Sequence, residues 1–152
     1  MLIKTHLAIT LFFIILFLPS VENQLAFIPI ALLATYLPDI DSPTSKAGNH
    51  WYLRPLQWFA GHRKFVHSFT FLFLITIGLV LIFPILALPF FLGYSSHLIA
   101  DSFTIEGIKP FYPNKRFISG KIRTGGISET TIFTIFVILN LVVFMANFSN
   151  MF

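Results

Sequence analysis

The chain has 152 residues, of which 56% are hydrophobic and only 11% charged, with a formal charge of +4. An ordinary soluble domain carries about a quarter charged residues, so this composition predicts an all-α polytopic membrane protein forming one integral domain over residues 1–152. There is no cysteine, which excludes disulfides, iron–sulfur clusters and thiolate zinc sites; any metal must be held by imidazole and carboxylate.

Five apolar segments follow one another along the chain: Leu7–Leu18, Leu25–Leu37, Phe65–Phe83, Ile85–Ala100 and Thr131–Phe148. Several are shorter than the roughly 20 residues that cross a hydrocarbon core about 30 Å thick, so about five short helices with polar ends below the headgroups are expected. Lys4 ahead of the first run has the look of a signal peptide. No small-residue cleavage site follows in "FLPSVENQ", so the segment reads as a retained helix.

If the five segments cross in turn, the N-terminus and the loops at about 39–64 and 101–130 share one side. All ten Lys/Arg fall there: Lys4, Lys46, Arg54, Arg63, Lys64, Lys109, Lys115, Arg116, Lys121 and Arg123. The opposite side has Glu22 as its one charge. The positive-inside rule puts the basic side, and with it the N-terminus, in the cytoplasm. "NHWYLRPLQWF" at 49–59 mixes aromatic residues with Arg54, as a segment lying in the interface does. "IKPFYPNKRFISGKIRTGG" at 108–126 is a basic loop rich in turn formers.

Every histidine and aspartate falls on this same side or at a helix end facing it. His6 opens the first segment, Asp39 and Asp41 close the second, His62 and His67 open the third, and His97 and Asp101 close the fourth. His50 sits in the polar loop beside Trp51 and reads as a surface residue. His97 and Asp101 are four apart, on one helical face, as two metal ligands or one hydrogen-bonded pair would be. His62 and His67 are five apart, about 140° round a helix, so one face cannot hold both and His62 belongs to the preceding turn. Asp39 and Asp41 are either turn residues framed by Pro38 and Pro43, or ligands from an extended stretch. His67 and His97 lie inside the apolar boundary, where a polar side chain without a partner is expensive. Gly93, Ser95 and Ser96 allow neighbouring helices to close around the fourth segment. The donor set suits Zn²⁺, Mn²⁺ or Fe²⁺, as one or two ions.

Four stretches carry a family resemblance: "LPDIDSPTS", "HRKFVHS", "GYSSHLIADSFTIEGIKPFYP" and "RTGGISE", in this order between short hydrophobic helices. The chain resembles the YdjM-like family of inner-membrane proteins, described as metal-dependent hydrolases, over nearly its whole length from Thr5–His6 to Glu129. The resemblance implies that His6, Asp39, Asp41, His62, His67, His97, Asp101 and Glu129 are the positions that matter. Val66 stands where the family often has Thr, which removes a hydroxyl but not the histidines. The spacing of His97 and Asp101 is also similar, more distantly, to that of zinc-dependent phospholipases C.

The expectation is therefore a membrane-bound hydrolase at the cytoplasmic face. Its metal ligands come from His6, Asp39, Asp41, His67, His97 and Asp101, with His62 and Glu129 as catalytic proton carriers. Arg63 and Arg123 would bind a phosphoester or lipid-linked substrate. The rival is a non-catalytic scaffold or carrier whose His/Asp cluster is structural; the uncharged middles of the segments and the lack of an internal repeat disfavour transport. Positive-inside topology accounts for the basic charge, so no nucleic-acid partner is expected.

Overall fold

A computed structural model describes residues 1–41, 51 and 65–149. Among the described residues there are five α-helices and no β-strand: α1 (Ile3–Phe17), α2 (Gln24–Tyr36), α3 (Phe69–Ile82), α4 (Pro84–Ser102) and α5 (Ile127–Ser149). Single 3-10 turns extend α1 at Leu18–Ser20 and α2 at Leu37–Asp41. The stretches Ile3–Ser20 and Ile127–Asn147 are long and apolar enough to cross a membrane, while Gln24–Ile40 and Phe69–Ile82 are apolar but shorter.

The helices track the apolar segments, but their ends move where polar contacts decide them. α1 begins four residues before the apolar run, so His6 lies within the helix and does not open it. α5 also begins four residues early, placing Glu129 in its first turn. α3 begins four residues late, because Ser68 caps it by accepting from Phe71 N at 3.2 Å. Phe83 alone separates α3 from α4: Pro84 bars the residue before it from the helical region, and Phe83 sits at φ −137°, ψ 70°. Pro84 itself is suited to a first helical position.

α4 packs across α2 and α3, while α1 bridges α2 to α5. The α2–α4 crossing is close because the facing residues are small. A Cβ on Gly93 would collide with the Ala31 carbonyl and press on Ala34. Beside this crossing a buried hydroxyl network joins three helices: Thr10 Oγ1 lies 2.9 Å from Thr35 Oγ1 and 2.7 Å from Ser96 Oγ. Ser95 differs from the two residues flanking it, bonding only its own helix at Leu92 O.

α5 is held to α1 by side-chain amides. Asn140 Nδ2 donates to Ala8 O at 3.0 Å and Asn147 Nδ2 to Ile15 O at 2.8 Å, both on carbonyls of an apolar helix. Interhelical bonds of this kind contribute about 0.6 kcal/mol on average and up to about 1.7 kcal/mol, so Asn140→Leu is expected to lower unfolding free energy in that range. Denaturation in detergent micelles measures it, and metal content should not change.

The segment 103–126 folds back on the helix ends. Ile108 and Ile118 exchange both backbone bonds, at 2.9 and 3.0 Å, and Ile105 N donates to Ile122 O at 3.0 Å. Gly107, at φ +55°, adopts a backbone conformation that other residues rarely take, and a Cβ there would strike Ile118 O. Ile108 is buried in the core with Leu72, Tyr94 and Leu98, so this basic loop is ordered.

Candidate metal centre

The site begins on α4. His97 and Asp101 do share a helical face, with Nε2 3.5 Å from Asp101 Oδ2. His97 Nδ1 lies 2.8 Å from Thr35 O, one of the last carbonyls of α2, which have no partner within their own helix. A carbonyl can only accept, so Nδ1 is the donor here and Nε2 is the nitrogen turned toward the carboxylates. This is how metal-bound imidazoles are commonly fixed, one nitrogen donating to backbone while the other faces the ion.

Three other elements bring residues to that nitrogen. His6, in the first turn of α1, stacks on His97 with ring centroids 3.8 Å apart and planes within 5°. Its Nε2 lies 3.2 Å from Asp101 Oδ1. Asp39, in the 3-10 turn after α2, puts Oδ1 3.8 Å from His97 Nε2. His67 enters from the turn before α3, with Nε2 3.7 Å from Asp101 Oδ2. That turn is tied down on three sides. Tyr94 Oη donates to Val66 O at 2.6 Å, Ser68 Oγ to Phe65 O at 2.5 Å, and Phe69 N to Pro110 O at 2.8 Å.

His6, His97 and Asp101 form one group with ligand atoms within 4.8 Å of one another, and Asp39, His67 and His97 form a second. The cluster is closed off: side-chain exposure is 0% for His97 and 2% for Asp101, against 22% for Asp39. Among the described residues, neither ring nitrogen of His6 finds a partner in full hydrogen-bond geometry, and neither does His97 Nε2. Buried polar atoms left this way cost free energy unless something binds them. Donor atoms sharing one ion at about 2.0–2.2 Å each stand about 3–3.6 Å apart. The observed 3.2–3.8 Å spacings and the imidazole/carboxylate chemistry fit a divalent transition metal.

The remaining expected residues are placed differently. Glu129 faces the N-terminal segment: Oε1 accepts from Leu2 N at 2.6 Å and Thr5 Oγ1 at 2.8 Å, and Oε2 from Gly125 N at 2.6 Å. It satisfies a free N–H at the start of α1 and one just before α5, which explains why both helices begin earlier than their apolar runs. Arg123 is exposed on the 103–126 segment. Asp41 closes its 3-10 turn, though its side chain, like His62, Arg63 and His50, lies outside the described residues. Sequence reasoning missed three contributors: the Thr35 carbonyl, the hydroxyls of Thr10 and Thr35, and the Met1 amine, 2.6 Å from Asp101 Oδ1. Hydroxyls inside apolar helices were the available signal for Thr10 and Thr35.

Glu129→Gln would oppose an amide N–H to donors that now meet a carboxylate. Leaving buried donors unmet costs about 1–3 kcal/mol. The expected result is a thermal shift of that size with weaker metal retention, because α1 carries His6; unfolding and metal titration measure the two effects.

These features define a helical membrane protein whose helix ends enclose a buried His/carboxylate cluster able to hold a metal ion. Residues 1–151 match the YdjM inner membrane protein family, and the chain belongs to it. Inner membrane protein YdjM of Escherichia coli (strain K12) is 36% identical over 95 residues, covering 57% of this chain and 48% of that protein. The protein of the same name from Shigella flexneri matches to the same extent. The chain thus spans about half the length of the curated relatives it matches. No solved structure matches it. The protein resides in the inner membrane, consistent with its several apolar helices.

Proposed function

We propose that this protein is a metal-dependent hydrolase of phosphoesters, with its site at the cytoplasmic boundary of the inner membrane. The observation that carries the reading is His97: its Nδ1–H is committed to Thr35 O, and its Nε2 faces Asp101 and Asp39. Buried imidazole nitrogens gathered around carboxylates favour ligation of an ion over a purely structural cluster.

His6, His67, His97 and Asp101 hold the ion, with Asp39 as a further ligand or as the group that takes a proton at Oδ1. Its greater exposure supports the second role, since a proton acceptor must exchange with solvent. The two triads share His97, whose Nε2 serves one ion at a time, so the site is mononuclear, with Zn²⁺ or Mn²⁺ as the metal. When bound, such an ion supplies Lewis acidity and activation of water. Glu129 positions α1, while the roles expected of Asp41, His62 and Arg63 fall on side chains outside the described residues. Arg123 and the other exposed cations of the 103–126 segment attract the substrate's phosphate. The chain crosses the membrane five times with its N-terminus in the cytoplasm, a topology supported by the cluster of cations at one set of helix ends.

Purified protein is expected to retain about one divalent ion per chain, as a mononuclear site requires. Elemental analysis after dialysis measures it, with a chromogenic phosphodiester to follow activity. Retention of no metal, together with activity indifferent to chelators, would overturn the reading.

A further inference from the structure

Beside the metal centre, between α1, α4 and α5, lies a cavity of about 380 Å³. Its walls are apolar: Ile9 and Phe13 on α1, Ala100 and Phe103 at the end of α4, Ile132 and Phe136 on α5. The one hydroxyl among its walls belongs to Ser96, and that oxygen is engaged by Thr10 at 2.7 Å and Gly93 O at 2.8 Å. Water therefore has no polar partner to hold it there, and the natural occupant is hydrocarbon.

Along α1 its lining runs from Phe13 through Ile9 to Met1 at the N-terminal end. At that end it is lined by Met1, whose amine touches Asp101, and by Ala100, the residue before Asp101. Ile122 lines it too, and the residues on either side of Ile122, Lys121 and Arg123, are exposed cations. An apolar cavity thus lies beside the metal cluster, and one of its wall residues is flanked in sequence by two exposed cations. These features suit an anionic phospholipid, whose acyl tail would take the apolar cavity and whose negatively charged phosphodiester would take the metal cluster and the cations.

We propose that this cavity seats one acyl chain of an anionic bilayer phospholipid, so that the phosphoester presented to the metal centre belongs to a membrane lipid. The inference rests on the hydrolase reading for what happens at the headgroup, but the seating of the chain can be tested apart from it.

The full chain would be placed in nanodiscs containing phosphatidylglycerol with a diazirine near the end of one acyl chain. After photolysis, labelled residues are mapped by mass spectrometry and metal content is measured in the same sample. Labelling at half-buried Phe13, Ile132 and Phe136 should exceed that at the more exposed Leu141 and Val142 of α5 by about tenfold, a population ratio equal to about 1.4 kcal/mol. Ile132→Trp, which fills the cavity, should remove that excess and leave metal content unchanged. Lys121→Ala with Arg123→Ala should remove the preference for phosphatidylglycerol over phosphatidylcholine. Labelling in proportion to surface exposure would overturn the inference and leave a metal-retaining protein with a soluble substrate. Concentrated labelling in a protein that holds no metal would support the lipid seat and overturn the hydrolase reading. Should Ile132→Trp fail to fold, Phe136→Trp repeats the test from the next turn of α5, and the wild-type map decides by itself.

Discussion

Replacing His97 by alanine is expected to strip the metal from the protein while leaving the helices in place. Its Nε2 is the atom common to both ligand groups, so its loss breaks each of them. Loss of a contact that merely supports a ligand costs about 10–100-fold in affinity, and loss of the shared ligand should exceed the upper figure. Competition titration with a chromophoric chelator reads that change. The fold should survive: the ring also stacks on His6 and bonds Thr35 O, yet the imidazole nitrogens it removes are ones burial penalises. Helix content by circular dichroism should match the wild type. A variant that keeps full metal affinity would show that the cluster is not the metal site.

Gly93→Ala is expected to damage stability and metal affinity together, although Gly93 touches no ligand. The added Cβ meets the Ala31 carbonyl, which is backbone and cannot swing aside. Overpacking of this kind costs about 1–3 kcal/mol, and here the strain moves α4 away from α2. One turn along α4, that separation pulls His97 Nδ1 from Thr35 O and frees the imidazole to rotate. Gly78→Ala is the control, since a Cβ there meets nothing within 4 Å. It should leave metal binding unchanged and add at most about 1 kcal/mol through helix propensity. Unfolding in detergent and the chelator titration, run on both variants, separate a packing effect from a general intolerance of helical glycines.

The pattern of what could be read from the residues follows the range of the forces involved. Membrane class came from composition, because a hydrocarbon solvent selects apolar side chains one by one. The pairing of His97 with Asp101 came from a spacing of four, because helix pitch fixes neighbours within one helix whatever surrounds it. Three of the four motifs that carried the family resemblance hold Asp39, His67, His97 and Asp101, and these meet His6 of α1 in two groups of ligand atoms.

Helix ends were read less well, because polar contacts, distant or local, decide them and apolar runs do not. The start of α1 depends on Glu129, which lies 127 residues from the Leu2 N–H it accepts. Glu129, marked by the family resemblance, carried an expected proton-transfer role, and both its oxygens accept from the backbone of two helix starts and a threonine hydroxyl. His67 was expected to open a helix, whereas the cap formed by Ser68 leaves it in a turn, aimed at Asp101.

By itself, then, the sequence determined the kind of protein, the helices and the donor chemistry, since each is decided by side chains acting locally or through a uniform solvent. Only the tertiary structure decided which nitrogen of His97 faces the carboxylates, which carboxylate ties down helix starts and which joins the cluster, and where an apolar cavity lies beside it. Those features depend on how α4 crosses α2 and α5 meets α1, and such crossings are set by contacts between residues far apart in the chain.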